Sequence, residues 1–88
     1  MYLHLGDRTT VLFSTVVGVF DLDNTSTSKH TRAYLERAQR EGRIVDVSGE
    51  LPRSFVVCSE QGQETVYLSQ ISSRTLMRRA EEGALTQE

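Results

Sequence analysis

Apolar residues recur along this chain with two different periods, and the change of period divides it into elements. Tyr2-Leu3-His4-Leu5 alternates, which places Leu3 and Leu5 on one face of a strand. Gly6-Asp7 is a turn signal, and residues 9–13 are the expected hairpin partner. A third strand is predicted over 16–22, where Gly18 points to a bulge or a close approach of neighbouring groups. Residues 23–27 are polar and read as a loop. From Ser28 the spacing lengthens: Thr31, Tyr34, Leu35 and Ala38 recur at helical intervals. Thr27 or Ser28 is the N-cap and Gly42 the C′ residue, so a helix is predicted over about 29–41.

Strands return after the helix. Residues 44–47 form a short one, and Leu51-Pro52 breaks the ladder or lies at its edge. Residues 54–58 are apolar almost without interruption, a pattern that implies burial on both faces. Gln61-Gly62 turns the chain and 65–69 pairs back as a hairpin. A short second helix follows, capped by Ser72 or Ser73, with Leu76, Met77 and Ala80 inward; 81–88 is an expected fraying tail. The order β-β-β-α-β-β-β-α predicts one α+β domain over residues 1–80, with about six short strands in a small, mostly antiparallel sheet.

A chain of 88 residues buries only about 60% of its unfolded surface, so its core is small and association is an available source of stability. Cys58 is the only cysteine, which excludes an internal disulfide. With no signal peptide or long apolar run, the expected setting is a reducing cytoplasm, away from membranes. His4 and His30 are far apart and lack thiol or i,i+4 partners, so no metal site and no cofactor is expected.

Val16-Val17-Gly18-Val19-Phe20-Asp21-Leu22-Asp23-Asn24-Thr25 resembles the first motif of the haloacid-dehalogenase-type phosphatases. In such an enzyme Asp21 would attack a phosphoryl group and Asp23 would act as acid and base beside Mg²⁺. Ser59 could stand for the second motif. No lysine follows Lys29, however, and no acidic pair follows a later strand. The bland alternative is a strand running into a loop whose Asp and Asn side chains cap the turn. The chain is therefore read as a non-enzyme.

The net charge of −2 argues against a general polyanion binder, but the distribution is uneven. Lys29, Arg32, Arg37, Arg40 and Arg43 face only Glu36 and Glu41 between them, and Arg74, Arg78 and Arg79 precede Glu81. Lys29, Arg32, Arg40 and Arg43 fall close to one helical stripe, a spacing that can meet a phosphate backbone. The competing reading pairs Glu36 with Arg40 and Arg37 with Glu41 on a solvated face. The six aromatic residues are scattered and form no stacking platform for single strands.

Met1-Tyr2-Leu3-His4-Leu5-Gly6, Phe20-Asp21-Leu22-Asp23, Thr31-Arg32-x-Tyr34-Leu35-Glu36, Glu41-Gly42-Arg43 and Leu51-Pro52-Arg53-Ser54-Phe55-Val56-Val57-Cys58 together resemble the RemA/RemB family of extracellular-matrix gene regulators. The resemblance runs from Met1 to about Arg79 and is nearest the RemB branch. It implies a non-enzymatic, DNA-binding transcriptional regulator with a domain related to the LytTR fold, assembling into rings. Where the RemA branch clusters arginines before the second apolar strand, this chain reads Gly49-Glu50-Leu51-Pro52-Arg53, and Thr15 stands near the other basic position.

On that reading Arg53 is the expected loop contact to duplex DNA, with Arg32 and Arg43 as secondary phosphate ligands. A few phosphate contacts per subunit become appreciable when a closed assembly engages several together. Such a ring needs two different patches per subunit, and Phe55, Val56 and Val57 are the candidate hidden face. A scaffold oligomer that meets a protein rather than DNA is the alternative, with the Asp21/Asp23 phosphatase more remote.

Overall fold

The computed structural model describes residues 1–23 and 28–86, and among these the eight elements follow the expected order. Strand β1 spans Tyr2–Gly6, β2 Thr9–Leu12 and β3 Val16–Asp21, with a single 3₁₀ turn at Phe13–Thr15 between the last two. Helix α1 spans Lys29–Arg40, followed by β4 at Ile44–Asp46, β5 at Ser54–Glu60, β6 at Gln63–Ser69 and α2 at Ser73–Thr86.

The single expected sheet is two. Strands β1 and β2 form an antiparallel pair of their own, and the other four lie in the order β3-β5-β6-β4. The β5–β6 hairpin turns at Gln61-Gly62, both at positive φ (53° and 82°), the backbone a two-residue hairpin loop requires. β4 runs parallel to β6, because the chain reaches it by crossing back along α1 from β3. Three of the four strand pairings are antiparallel. The irregularity foreseen at Gly18 is present: the register of β3 on β5 slips between Val16 and Gly18.

Burial sorts along β5 by alternation. Val56 and Cys58 face Leu3, Leu5, Val11 and Leu76, contributed by the β1–β2 hairpin and α2. Phe55 and Val57 face Ala38 of α1 together with Val66, flanked by Tyr34 and Leu35. The uninterrupted apolar run is thus accounted for inside one chain. Phe55, Val56 and Val57, the expected hidden face of a ring contact, are instead covered within the chain, because the hairpin supplies a cover that periodicity does not place. Phe55, Val56 and Val57 are all buried core residues.

Three serines are buried, and one of them, Ser69, ties the hairpin to the main sheet. Ser69 Oγ donates to the Leu5 carbonyl and accepts from the Ile71 amide, while Ser54 Oγ donates to the Ile71 carbonyl at 2.7 Å. Ser48 Oγ donates to the Asp46 carboxylate at 2.6 Å. All three buried hydroxyls therefore have partners, as their burial demands.

The helix ends follow from local chemistry. Ser28 Oγ accepts from the Thr31 amide at 3.1 Å and caps α1. At the other end the Arg43 amide reaches the Ala38 carbonyl and the Gly42 amide reaches Gln39, a Schellman closure with Gly42 at φ 71°. Ser72 Oγ accepts from the Thr75 amide and caps α2. That helix continues to Thr86 rather than ending near Ala80. Glu81 and Glu82 are good helix formers, and at Gly83 the Met1 thioether occupies the space a Cβ would take. Leu76 and Ala80 point inward as expected, whereas Met77 is exposed. No helix among the described residues is long and apolar enough to cross a membrane.

Candidate nucleic-acid interface

Arg53 sits where the loop after β4 enters β5. Its amide donates to the Ser69 carbonyl at 2.8 Å and its carbonyl accepts from Leu22 at 2.9 Å, so its backbone is clamped between β6 and the end of β3. The side chain leaves this clamp toward solvent and is about half exposed. There it meets Asp23: Nε and Nη2 both lie 3.0 Å from Asp23 Oδ2. A rigid backbone with an exposed guanidinium is what a phosphate contact requires, but here a carboxylate already occupies the donors.

Arg43 is more deeply engaged. Beyond the last helical turn, it leaves the stripe expected from the sequence and folds back on Tyr34, its guanidinium 5.7 Å from the ring centroid. Nε donates to Glu41 Oε1 at 2.7 Å, and Nη1 lies 3.9 Å from Glu64 Oε1. Tyr34 Oη donates to the same Glu64 oxygen at 2.8 Å. Partial burial, then this bond to a carboxylate, raise the Tyr34 pKa. The bond to Glu41 likewise holds Arg43 charged. The i,i+4 partners expected for Glu41 and Arg37 are replaced: Glu41 turns to Arg43, and Arg37 lies 5.7 Å from the Tyr34 ring centre.

Arg32 is exposed on the first turns of α1. His30 and Thr31 beside it line a groove with Val17, Phe20, Tyr34, Phe55, Val57 and Glu64, which runs along β3 and β5, while Arg53 lies at the end where β5 begins. Arg43 belongs to the opposite end. Its carbonyl accepts from Val66, whereas Arg53 bonds Ser69, three residues further along β6 and on its other side. The two backbones are therefore separated by about 10 Å along the strands and about 10 Å across them. The structure sets Arg43 apart from Arg53, and Arg32 stands on the exposed side of α1.

The two aspartates of the phosphatase-like motif have ordinary partners. Asp21 Oδ1 accepts from the Asp23 amide at 2.8 Å, the Asx-type turn that the bland reading expected, and Asp23 binds Arg53. Residues 24–27 of that loop lie outside the described residues. Asp21 pairs with Ser54, five residues along β5 from Ser59, about 16 Å away. Ser59 is therefore not assembled with the aspartates, and no group of three or more potential metal ligands occurs among the described residues.

Two features escaped the sequence. The Arg53–Asp23 pair joins residues thirty positions apart, and no local pattern announces it. The groove, about 330 Å³, is lined by Val17, Phe20, Tyr34, Phe55 and Val57 among others. It lies beside β3, an open edge of the sheet. Gly18 was its one advance sign, since the Phe20 ring lies directly over it.

The class is a small α+β domain in which a sheet covered on one face by α1 and on the other by the β1–β2 hairpin and α2 carries a clamped basic loop. Residues 2–80 match the model of the RemA-like family, described as extracellular matrix regulatory protein A-like, and the chain belongs to that family. It is 35% identical over 81 residues to extracellular matrix regulatory protein B of Bacillus subtilis (strain 168), covering 92% of this chain and 91% of that protein. The RemB-like character expected from the ordered motifs is thereby established.

Proposed function

We propose that this protein is a non-enzymatic regulator of bacterial extracellular-matrix genes that acts in the cytoplasm as a homo-oligomer on duplex DNA, through phosphate contacts, and that its LytTR-like fold and ring-like assembly follow the same reading. The observation that carries it is Arg53, an exposed guanidinium on a loop whose backbone is clamped from both sides, in a chain whose relative is named a matrix regulatory protein. Arg32, exposed on the first turns of α1, is the second proposed contact. Arg43 would have to leave Glu41 and Glu64 to join them. Contacts this sparse favour binding that depends on salt more than on base sequence, because no helix presents a cluster suited to base edges.

Self-association on this reading uses surface other than the buried Phe55–Val57 core. Val17 and Phe20 are exposed apolar residues on the open edge of β3, and this edge is where a neighbouring subunit finds unpaired backbone groups. Sedimentation at micromolar concentration, together with fluorescence anisotropy on a duplex at two salt concentrations, tests both parts. An oligomer whose affinity falls steeply with salt is expected; a monomer that binds no duplex at low salt overturns the reading.

One observation favours a second reading, a scaffold that meets a protein partner. Both Arg43 and Arg53 already carry carboxylates, and the chain as a whole is acidic. Capture of a protein partner that survives nuclease treatment, with no duplex binding, would select it.

A further inference from the structure

We infer that Asp23 is a built-in competitor for Arg53, a carboxylate latch that a phosphate must displace before the loop engages DNA. The inference rests on the proposed DNA-binding function and adds to it a regulatory contact within the same site. The geometry is specific. Arg53 Nε and Nη2 converge on one oxygen, Asp23 Oδ2, at 3.0 Å each, and Nε lies 3.4 Å from the other oxygen. The backbone that carries Asp23 is held beside Arg53, because the Asp23 amide donates to Asp21 Oδ1 and the Leu22 amide donates to the Arg53 carbonyl. The two backbones are thus tied on either side of the ion pair. Carboxylate and phosphate offer the same acceptor to the same donors, so the two compete directly for one guanidinium.

The latch is weak by design of its surroundings. Both side chains are about half exposed, and an exposed pair of this kind contributes up to about 1 kcal/mol. Releasing it therefore strengthens each phosphate contact by about two- to five-fold. A duplex touching several subunits would feel that factor repeatedly. A weak latch acts by degree: each isolated phosphate loses the same small factor, while an array of phosphates presented together outcompetes it.

The test is a double-mutant cycle on the full chain, reading duplex affinity by fluorescence anisotropy at fixed salt. Asp23→Asn is expected to tighten binding at least two-fold in the wild-type background and to have no effect in the Arg53→Ala background. Asp7→Asn, the same charge change at the β1–β2 turn, is the control for bulk electrostatics. Equal affinities for wild type and Asp23→Asn, or an equal gain with Arg53→Ala or Asp7→Asn, overturn the latch while leaving DNA binding intact. If no variant binds duplex, the proposed function fails and the latch is decided separately. Arg53 Nε–Hε shifts are then followed by NMR during titration with inorganic pyrophosphate. Saturation at lower pyrophosphate in Asp23→Asn supports the latch, and superimposable titrations reject it.

Discussion

The Phe20 ring lies over the bare α-carbon of Gly18, where a Cβ would come within 2.8 Å of the ring. Two positions apart on β3, the residues share a face, and the missing side chain of one makes the seat of the other. Seated there, Phe20 stacks on Phe55 with centroids 4.8 Å apart and planes 18° from parallel.

Gly18→Ala should therefore unseat the ring and lose the stack, a cost of about 1 kcal/mol. Urea unfolding measures it through the midpoint. In a Phe20→Ala background the same substitution should cost nothing, since the seat is then empty, and it would relieve the strand of a flexible glycine.

Leu76 tests whether the hairpin and α2 truly close the second face. It is fully buried against Leu3, Leu5 and Val56. Leu76→Ala should cost about 2–5 kcal/mol, a large part of the roughly 4–13 kcal/mol expected for a domain of this length. Met77→Ala, its exposed neighbour, should stay within about 0.5 kcal/mol. Equal effects at the two positions would mean that α2 is not docked as described.

Arg43 and Arg53 should separate in function. Arg43→Ala should leave the salt dependence of duplex binding unchanged while lowering the melting temperature, because its partners are Glu41, Glu64 and Tyr34 within the chain. Arg53→Ala should weaken binding and make the salt slope shallower by about 0.9 for each contact removed. A slope altered by Arg43→Ala would return that residue to the interface.

Asp46 should leave a mark in the acid range. Hydrogen bonds from the Ser48 hydroxyl and then its amide lower the Asp46 pKa below its ordinary value. A carboxyl depressed in the folded state contributes stability above its unfolded pKa of about 3.9 and loses it as pH falls through the folded value. Wild type should thus lose more stability than Asp46→Asn between neutral pH and about pH 3, measured as the change in urea midpoint. Identical pH profiles would contradict the assignment.

Much of this was legible from local chemistry. The helix stripe of Thr31, Tyr34, Leu35 and Ala38, its Ser28 cap and the Gly42 closure all depend on interactions within a few residues, so spacing alone carries them. The Gln61-Gly62 hairpin is equally local. Cys58 as a buried core residue followed from its apolar neighbours, and its burial raises the thiol pKa. The ordered motifs carried family membership for the same reason: each is a short run, and their sequence along the chain is itself a one-dimensional fact.

What the chain could not announce is what lies across space. Alternation along β5 says that both faces are covered, but not that the covers are α1 and a separate β1–β2 hairpin. Nor does it say that β4 runs parallel to β6 after a crossover. Charge spacing placed Arg43 on a helical stripe, and a Schellman turn removed it by folding the residue back onto Tyr34. The Asp23–Arg53 pair exists only because β3 and β5 are neighbours in the sheet. Elements, caps and turns arise from contacts between near neighbours, whose reach is a few residues. The partners of the functional arginines are set by strand order and long-range packing, and these are properties of the folded whole.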